Sequence, residues 1–321
     1  MLFIATNSFI VNDSFVIIMQ AVYHLDSWYD ANKALFYPPV CNKLQHKKQL
    51  SVMFVGGPNT RTDYHLDQGS EFFWMVRGSM ELVTIQQGKI KKVPINEGEV
   101  YCLPSRVPHS PQRPEEGSLG LVVERERYEN EGEVDGLRWY TDFNAPNEIL
   151  WEKFFHCGDL GRDLVPVVKE FHASEEKQSG VPGKQVHTDA DRPFKQDVDT
   201  LVPPPFNLNK WIEAHHAELH AGECLDLFHA DGEHPDKEFR ILVCGGGKHG
   251  STQESSGNQG DTWVFQIKGA AVVSLDGADE TNSQQLLEGV GGVVPPNTPF
   301  AIKRDPGSIG LVVTNNPKGN K

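Results

Sequence analysis

Between Leu50 and Glu124 the apolar residues come in short runs: SVMFV, EFFWMV, MELVTI, KKVPI, EVYCL and LGLVVE. Each run is closed by a turn-forming cluster such as Gly-Gly-Pro-Asn, Arg-Gly-Ser, Gln-Gly-Lys or Asn-Glu-Gly. Closely spaced runs with this punctuation predict antiparallel strands in a sandwich or barrel. Ahead of them, Leu25 to Phe36 sets Trp28, Ala31 and Leu35 at helical spacing, with Asp26 or Ser27 as N-cap and Pro38 and Pro39 as the stop. Apolar residues from Leu150 to Phe171 are spaced for one or two helices packed on the barrel. His172 to Pro205 is polar and rich in breakers, and reads as a linker.

Beyond Pro205 the pattern starts again. FNLNKWIEAHH from Phe206 echoes YHLDSWYDANK from Tyr23, and DTWVFQIKG ending at Gly269 lies over SEFFWMVRG ending at Gly78. VPPNTPFAIKRDP from Val294 lies over LPSRVPHSPQRPE from Leu103 at the same offset of 191, and SIGLVV repeats SLGLVV. A near-constant offset over separate strands predicts two copies of one barrel. The expected organisation is an extension over 1–20, a catalytic domain over 21–171, a linker over 172–205 and a second domain over 206–321. Residues 1–20 read as a frayed extension, or as the product of a start upstream of Met19, because Asn7, Asn12 and Asp13 interrupt the apolar patches and no basic segment precedes them.

Composition narrows the partners. A formal charge of −14 argues against nucleic acid and anionic membrane and for a small-molecule ligand. Five widely spaced cysteines predict neither a disulfide framework nor a cysteine zinc site, and point to a reducing cytoplasm.

The chemistry concentrates in Arg61 to Glu124. His65 is followed by Glu71 and Gly78, and Gly98 by Pro104 and His109. Two imidazoles and one carboxylate from neighbouring strands form a facial triad with open positions, the set that suits a non-heme Fe(II). Strand alternation places Glu71, Phe73 and Met75 on one face. The spacing resembles the two short motifs of the cupin superfamily, which implies an all-β fold with a few short helices: a bicupin of two jelly-roll-like barrels. Asp67 stands where cupins often have a second histidine, and Arg113 where many have an amide. At the offset of 191, His65, Glu71 and His109 fall on Ser256, Thr262 and Phe300, so the second copy is expected to be degenerate and metal-free.

Longer strings carry a closer resemblance. FVGGPNTRTDYH, LPSRVPHSPQR, GLVVERER and DGLRWY, within a match from PPVCNKL to FHCGDLG, are similar to the 3-hydroxyanthranilate 3,4-dioxygenase family in its single-chain bicupin form. The resemblance implies Fe(II) held by His65, Glu71 and His109, a substrate carboxylate bound by Arg61 and Arg113, and Glu124 contacting its hydroxyl or amino group. It also implies 3-hydroxyanthranilate and O2 as reactants and 2-amino-3-carboxymuconate semialdehyde as product, on the route to quinolinate and NAD. The chain departs from the family where an aromatic pair and glutamine give way to Phe73, Trp74 and Met75, which bears on substrate range. A cupin dioxygenase for another ortho-substituted phenol, or a non-catalytic metal-binding bicupin, are the alternatives. An internal second barrel predicts a monomer. His215, His216, His220, His229 and His234 read as a solvent-facing group on and after a helix, and Gly245 to Gly247 lacks the context of a phosphate loop.

Overall fold

The computed structural model describes residues 10–11, 14–15, 19–38, 41–183, 186–188, 190–275 and 283–315. Two short strands, β1 (Ile10–Val11) and β2 (Ser14–Phe15), pair with each other. They are followed by β3 (Gln20–His24), helix α1 (Leu25–Asn32) and a 3-10 turn over Lys33–Phe36. The helix begins one residue before Asp26, so neither Asp26 nor Ser27 precedes it as a cap. Of the two prolines expected to stop it, Pro39 lies outside the described residues.

The first barrel is built from β4 (Asn42–Lys47), β5 (Leu50–Gly56), β6 (Tyr64–Leu66), β7 (Glu71–Arg77), β8 (Met80–Gln86) and β9 (Lys89–Ile95). It continues with β10 (Glu99–Leu103), β11 (His109–Gln112), β12 (Leu119–Arg125), β13 (Asp135–Tyr140) and β14 (Ile149–Phe155). After α2 (Leu160–Ala173) and α3 (Glu175–Ser179), the second copy opens with β15 (Phe206–Asn207), α4 (Leu208–Ala214) and α5 (His216–Ala221). Its strands are β16 (Cys224–Asp226), β17 (Phe239–Gly245), β18 (Ser251–Ser255), β19 (Thr262–Lys268), β20 (Ala271–Leu275), β21 (Ser283–Leu286), β22 (Val290–Val294), β23 (Phe300–Arg304) and β24 (Ile309–Asn315).

Sheet order shows the duplication. One sheet of the first barrel runs β15-β10-β7-β12-β5-β4, and its counterpart in the second runs β3-β22-β19-β24-β17-β16. The central strands β7, β10 and β12 and their counterparts β19, β22 and β24 start 191, 191 and 190 residues apart, whereas β4 and β16 start 182 apart. The facing sheets, β6-β11-β8-β9 extended by β13 and β14, and β18-β23-β20-β21, repeat likewise. The fold is the expected all-β bicupin.

Local chemistry explains the elements. Gln87 and Gly88 both adopt left-handed φ (51° and 70°), the conformation of a tight two-residue hairpin between β8 and β9. Inside the first barrel Met53, Phe73, Met75, Leu82, Tyr101 and Val122 form the core. Ile149–Phe155, expected as helix, is a strand, and Trp139 and Trp151 of the β13–β14 pair pack on Phe171 of α2 (ring centroids 4.0 and 5.7 Å).

By contacts the chain forms two units: residues 29–214 with 228–240 and Asn315, and the remainder of the described chain through Thr314. This differs from the boundaries expected at 20, 171 and 205. The strand opening each sequence copy lies in the other copy's sheet: β3 pairs with β22, and β15 with β10. Part of the expected linker is helical, and among its described residues Val202 is held on the first barrel. Lys91 Nζ donates to Val202 O (2.8 Å), the Val202 amide donates to Gln86 Oε1 (2.9 Å), and the Val202 side chain is fully buried.

The expectation of no disulfide is corrected. Antiparallel pairing sets Cys224 of β16 opposite Cys244 of β17, with Cα atoms 4.0 Å apart, and the two are bonded, whereas Cys41, Cys102 and Cys157 are free. Widely spaced cysteines gave no sign of this, because partners across a sheet need not be near in sequence. Among the described residues no helix is long and apolar enough to cross a membrane.

Candidate active site

His65 of β6 and His109 of β11 are register partners, and Glu71 opens β7, so three strands deliver three side chains to one point inside the first barrel. Their ligand atoms lie within 4.8 Å of one another, all buried, and they are the one such group among the described residues. Each histidine is oriented by its other nitrogen. His109 Nδ1 donates to Val107 O (3.0 Å), which leaves Nε2 at 2.9 Å from Glu71 Oε1. His65 Nε2 donates to Asp135 Oδ2 (2.8 Å), which leaves Nδ1 at 3.9 Å from the same oxygen.

That oxygen, Glu71 Oε1, is buried and makes no hydrogen bond. A buried carboxylate oxygen facing two lone-pair nitrogens is costly by itself and fits a cation shared among the three. The electrostatics run the same way. Burial pushes the Glu71 carboxyl up, but His109 and His65 outweigh it and hold it at about 2. Burial lowers His65 and would lower His109, which Glu71 raises instead.

Arg61 and Arg113 come together because their loops are stitched. Asn59 and Arg113 exchange backbone hydrogen bonds (2.6 and 2.8 Å), and Gln112 Nε2 and Oε1 hold the Arg61 carbonyl and amide (3.0 and 3.1 Å). The two guanidiniums differ. Arg61 pairs with Asp63, Nε donating to both carboxylate oxygens (3.2 and 3.1 Å). Arg113 is buried, its Nε has no partner, and burial lowers it to about 10 despite the attraction of Glu71. Gly120 lies between it and Met75: a Cβ there would sit 2.9 Å from Met75 Sδ, too close, and in ordinary contact, 3.6 Å, with Arg113 Nη2. Met75 therefore borders Arg113, while Trp74 points to the opposite face of β7 and is half-buried.

Glu124 lies opposite Glu71 in the β12–β7 register. Burial pushes its carboxyl up to about 7, although Arg127 Nη1 donates to its Oε2 (2.8 Å). Arg127 is the hub of a buried cluster, donating also to Asp67 Oδ2 (2.5 Å) and to both oxygens of Asp135 (2.7 and 2.9 Å). Three carboxylates around one guanidinium cannot all be ionised at equal ease. Asp135 is held well below its usual range by Arg127 and His65 against the effect of burial, and Asp67 is pushed well above it by burial. Asp67 thus belongs to this cluster and not to the triad.

All six residues singled out from sequence fall in the first unit, around the triad. Missed were Asp135, which orients His65, Arg127, which donates to Glu124 and opposes the effect of its burial, and Asp63, which occupies Arg61. Asp135 could have been found as the acidic residue that opens the strand DGLRWY, one of the strings that carry the family resemblance. A cleft of about 700 Å³ in the same unit is lined by Lys47, Met53, Glu124, Arg127, His156 and Cys157 among others. In the second copy His216 and His220 stack on one another (5.3 Å), as a helical pair does.

A family model for 3-hydroxyanthranilic acid dioxygenase matches residues 18–172, which contain the whole site. The 3-hydroxyanthranilate 3,4-dioxygenase of Mus musculus is 38% identical over 303 residues, 94% of this chain and 99% of its own. The chain belongs to the 3-hydroxyanthranilic acid dioxygenase family. Relatives of the same description from Nematostella vectensis (40% identical, 92% of this chain, 99% of theirs) and Homo sapiens (39%, 92% and 96%) also align nearly end to end. Among solved structures, a mutant Bacillus subtilis oxalate decarboxylase covers 94% of this chain, and 78% of its own, at 16% identity and a TM-score of 0.48. In family terms, the triad and both arginines sit inside the segment that the model describes.

Proposed function

We propose that this protein is an Fe(II)-dependent dioxygenase that opens the ring of 3-hydroxyanthranilate between C3 and C4. The product would be 2-amino-3-carboxymuconate semialdehyde, which closes to quinolinate on the route from tryptophan to NAD. The carrying observation is Arg113, a buried guanidinium whose Nε has no partner, in the same barrel as the buried His65–Glu71–His109 triad, whose ligand atoms lie within 4.8 Å of one another. A ligand with a carboxylate at one end and metal-binding groups at the other satisfies both. Near end-to-end similarity to relatives named for this reaction supports the same reading.

His65 Nδ1, Glu71 and His109 Nε2 would hold the iron. Bound Fe(II) would supply Lewis acidity and electron-transfer chemistry with O2. The chain's own residues account for the rest. Arg113, joined by Arg61 as it shares itself between Asp63 and the ligand, grips the substrate carboxylate bidentately and fixes the ring. Glu124, with a proton affinity near neutrality, takes the phenolic proton. Both atoms of O2 enter the product, so no further reductant is needed. The enzyme would act as a cytoplasmic monomer.

Met75 beside Arg113 favours a second reading, a different ortho-substituted phenol in the same site, because an apolar wall there changes what the pocket accepts. Anaerobic chain loaded with Fe(II), given 3-hydroxyanthranilate and then air, should form the semialdehyde. Full iron loading without turnover would discard the assignment, and a panel of phenols would then name the substrate.

A further inference from the structure

The first unit includes a stretch from far down the chain, residues 228–240, between β16 and the body of β17. It is a built structure. Phe228 packs edge-on against Phe72, the residue after Glu71 (6.1 Å), and against Phe206 (5.4 Å). Trp211 Nε1 donates to Asp231 (2.8 Å), and the His229 ring lies 3.0 Å from the Asp236 carbonyl. Asp236 in turn accepts the amides of Glu238 (3.2 Å) and Phe239 (3.1 Å), which sets the backbone of Glu238.

The Glu238 carboxylate does two things. Its Oε2 accepts the Ser70 amide (2.6 Å), and its Oε1 accepts from Arg125 Nε. Arg125 Nη2 then donates to Gln68 O (3.2 Å), while Asp67 Oδ1 holds the Gly69 amide (2.6 Å) and Ser70 Oγ accepts from Ser105 N (3.2 Å). The turn Gln68–Ser70 is thus held at both ends through one carboxylate. That turn is the short connection between His65 on β6 and Glu71 on β7. Both acid partners of Arg125 are nearly buried, with side chains 12% exposed, so neither pair is screened as a surface ion pair would be.

We propose that Glu238 is a positioning residue for the metal site: it fixes the 68–70 turn and thereby the separation of two ligands that the turn joins. The inference rests on the metal reading above. A residue carried by the second copy's sequence would then act through Ser70 and Arg125 on a site in the first barrel, without touching metal or substrate.

The test is anaerobic Fe(II) titration of metal-free full-length protein. Glu238→Ala should weaken binding roughly 10- to 100-fold, the range for groups that orient metal ligands. Glu238→Gln, which keeps an acceptor for the Ser70 amide, should lose less. Glu133→Gln removes the other acid partner of Arg125, whose Nη2 it shares with Gln68 O, but leaves the Glu238 bond to the Ser70 amide intact, so it should weaken metal binding clearly less than Glu238→Ala does. Equal loss in Glu133→Gln would reveal general loosening and overturn the proposal, as would wild-type affinity in a folded Glu238→Ala. Wild-type protein that took up no Fe(II) would overturn both this and the metal reading, whereas tight Fe(II) binding without turnover would remove only the substrate.

Discussion

Arg113 and Arg304 stand at the same place in the two copies, at the ends of β11 and β23. Both are buried, and in both burial lowers the guanidinium to about 10. Each lies near a glycine of the facing sheet: a Cβ on Gly310 would be 3.2 Å from Arg304 Nε, and one on Gly120 would be in ordinary contact, 3.6 Å, with Arg113 Nη2. The difference is in the surroundings. Arg113 has Glu71, Arg61 and Cys41 about it, whereas Arg304 meets Gln253, whose Oε1 accepts from Nη1 (3.2 Å), and Thr262 and Phe300 hold the positions of Glu71 and His109. Duplication preserves a slot long after the chemistry around it has gone. A cationic side chain alone is no mark of function, and its worth depends on what shares the barrel.

The largest effect that would break this contrast is loss of a ligand. His109→Ala should cut turnover at least about a thousandfold, as removal of one member of a concerted set does, and abolish stoichiometric metal uptake. Phe300→His in the second copy should add no second equivalent of metal, which elemental analysis would check. Next comes the arginine pair. Arg113→Met should raise KM for 3-hydroxyanthranilate roughly 10- to 100-fold, the loss expected for charge-assisted hydrogen bonds, with kcat less affected, while Arg304→Met should leave both unchanged in steady-state assays.

The pH profile sharpens the role of Glu124. A base acts only when ionised, so with the carboxyl at about 7 kcat/KM should rise about tenfold per unit below that pH and level above it. Glu124→Gln should lack the step. The same shift bears on stability with the opposite sign from Glu71. A carboxyl raised in the folded state makes folding less favourable as pH climbs from the ordinary 4.5 towards 7. Glu71, depressed to about 2, stabilises the metal-free fold above pH 4.5 and loses that contribution as pH falls towards 2. The smallest effect is Arg304→Met, where exchanging a buried charge for an apolar chain should stabilise by about 1 kcal/mol and raise Tm by roughly 2–4 °C in calorimetry.

Much of this was legible in the sequence because strands and duplication are written as periods. The runs around Glu71 and Leu121, and their echoes near Thr262 and Leu311, place the barrels before any coordinate does. The triad was legible from its spacing to Gly78, Gly98 and Pro104, whereas Arg61 and Arg113 stood out only through the longer strings that resemble the family, since a lone arginine reads as a surface ion-pair residue. What stayed hidden depends on partners that periodicity does not name. Arg125 and Arg127 look like a solvated charge cluster in GLVVERER, yet both are buried because Glu133, Glu238, Asp67 and Asp135 arrive from elsewhere. Cys224 and Cys244 are joined by strand pairing that no spacing rule announces.

The placement of β3 and β15 also sets an order on how the molecule can be made. His24 finds its partner only at Val290, and Val100 finds Phe206 only after α2 and α3 have emerged. At ribosomal speeds the first of these waits about 10–60 s, during which β3 has no sheet to join. A nascent chain released at residue 205 would carry every ligand of the triad and still lack the edge strand on β10 and the stretch bearing Glu238. Competence of the metal site would then arrive late in synthesis, although all of its ligands are made early.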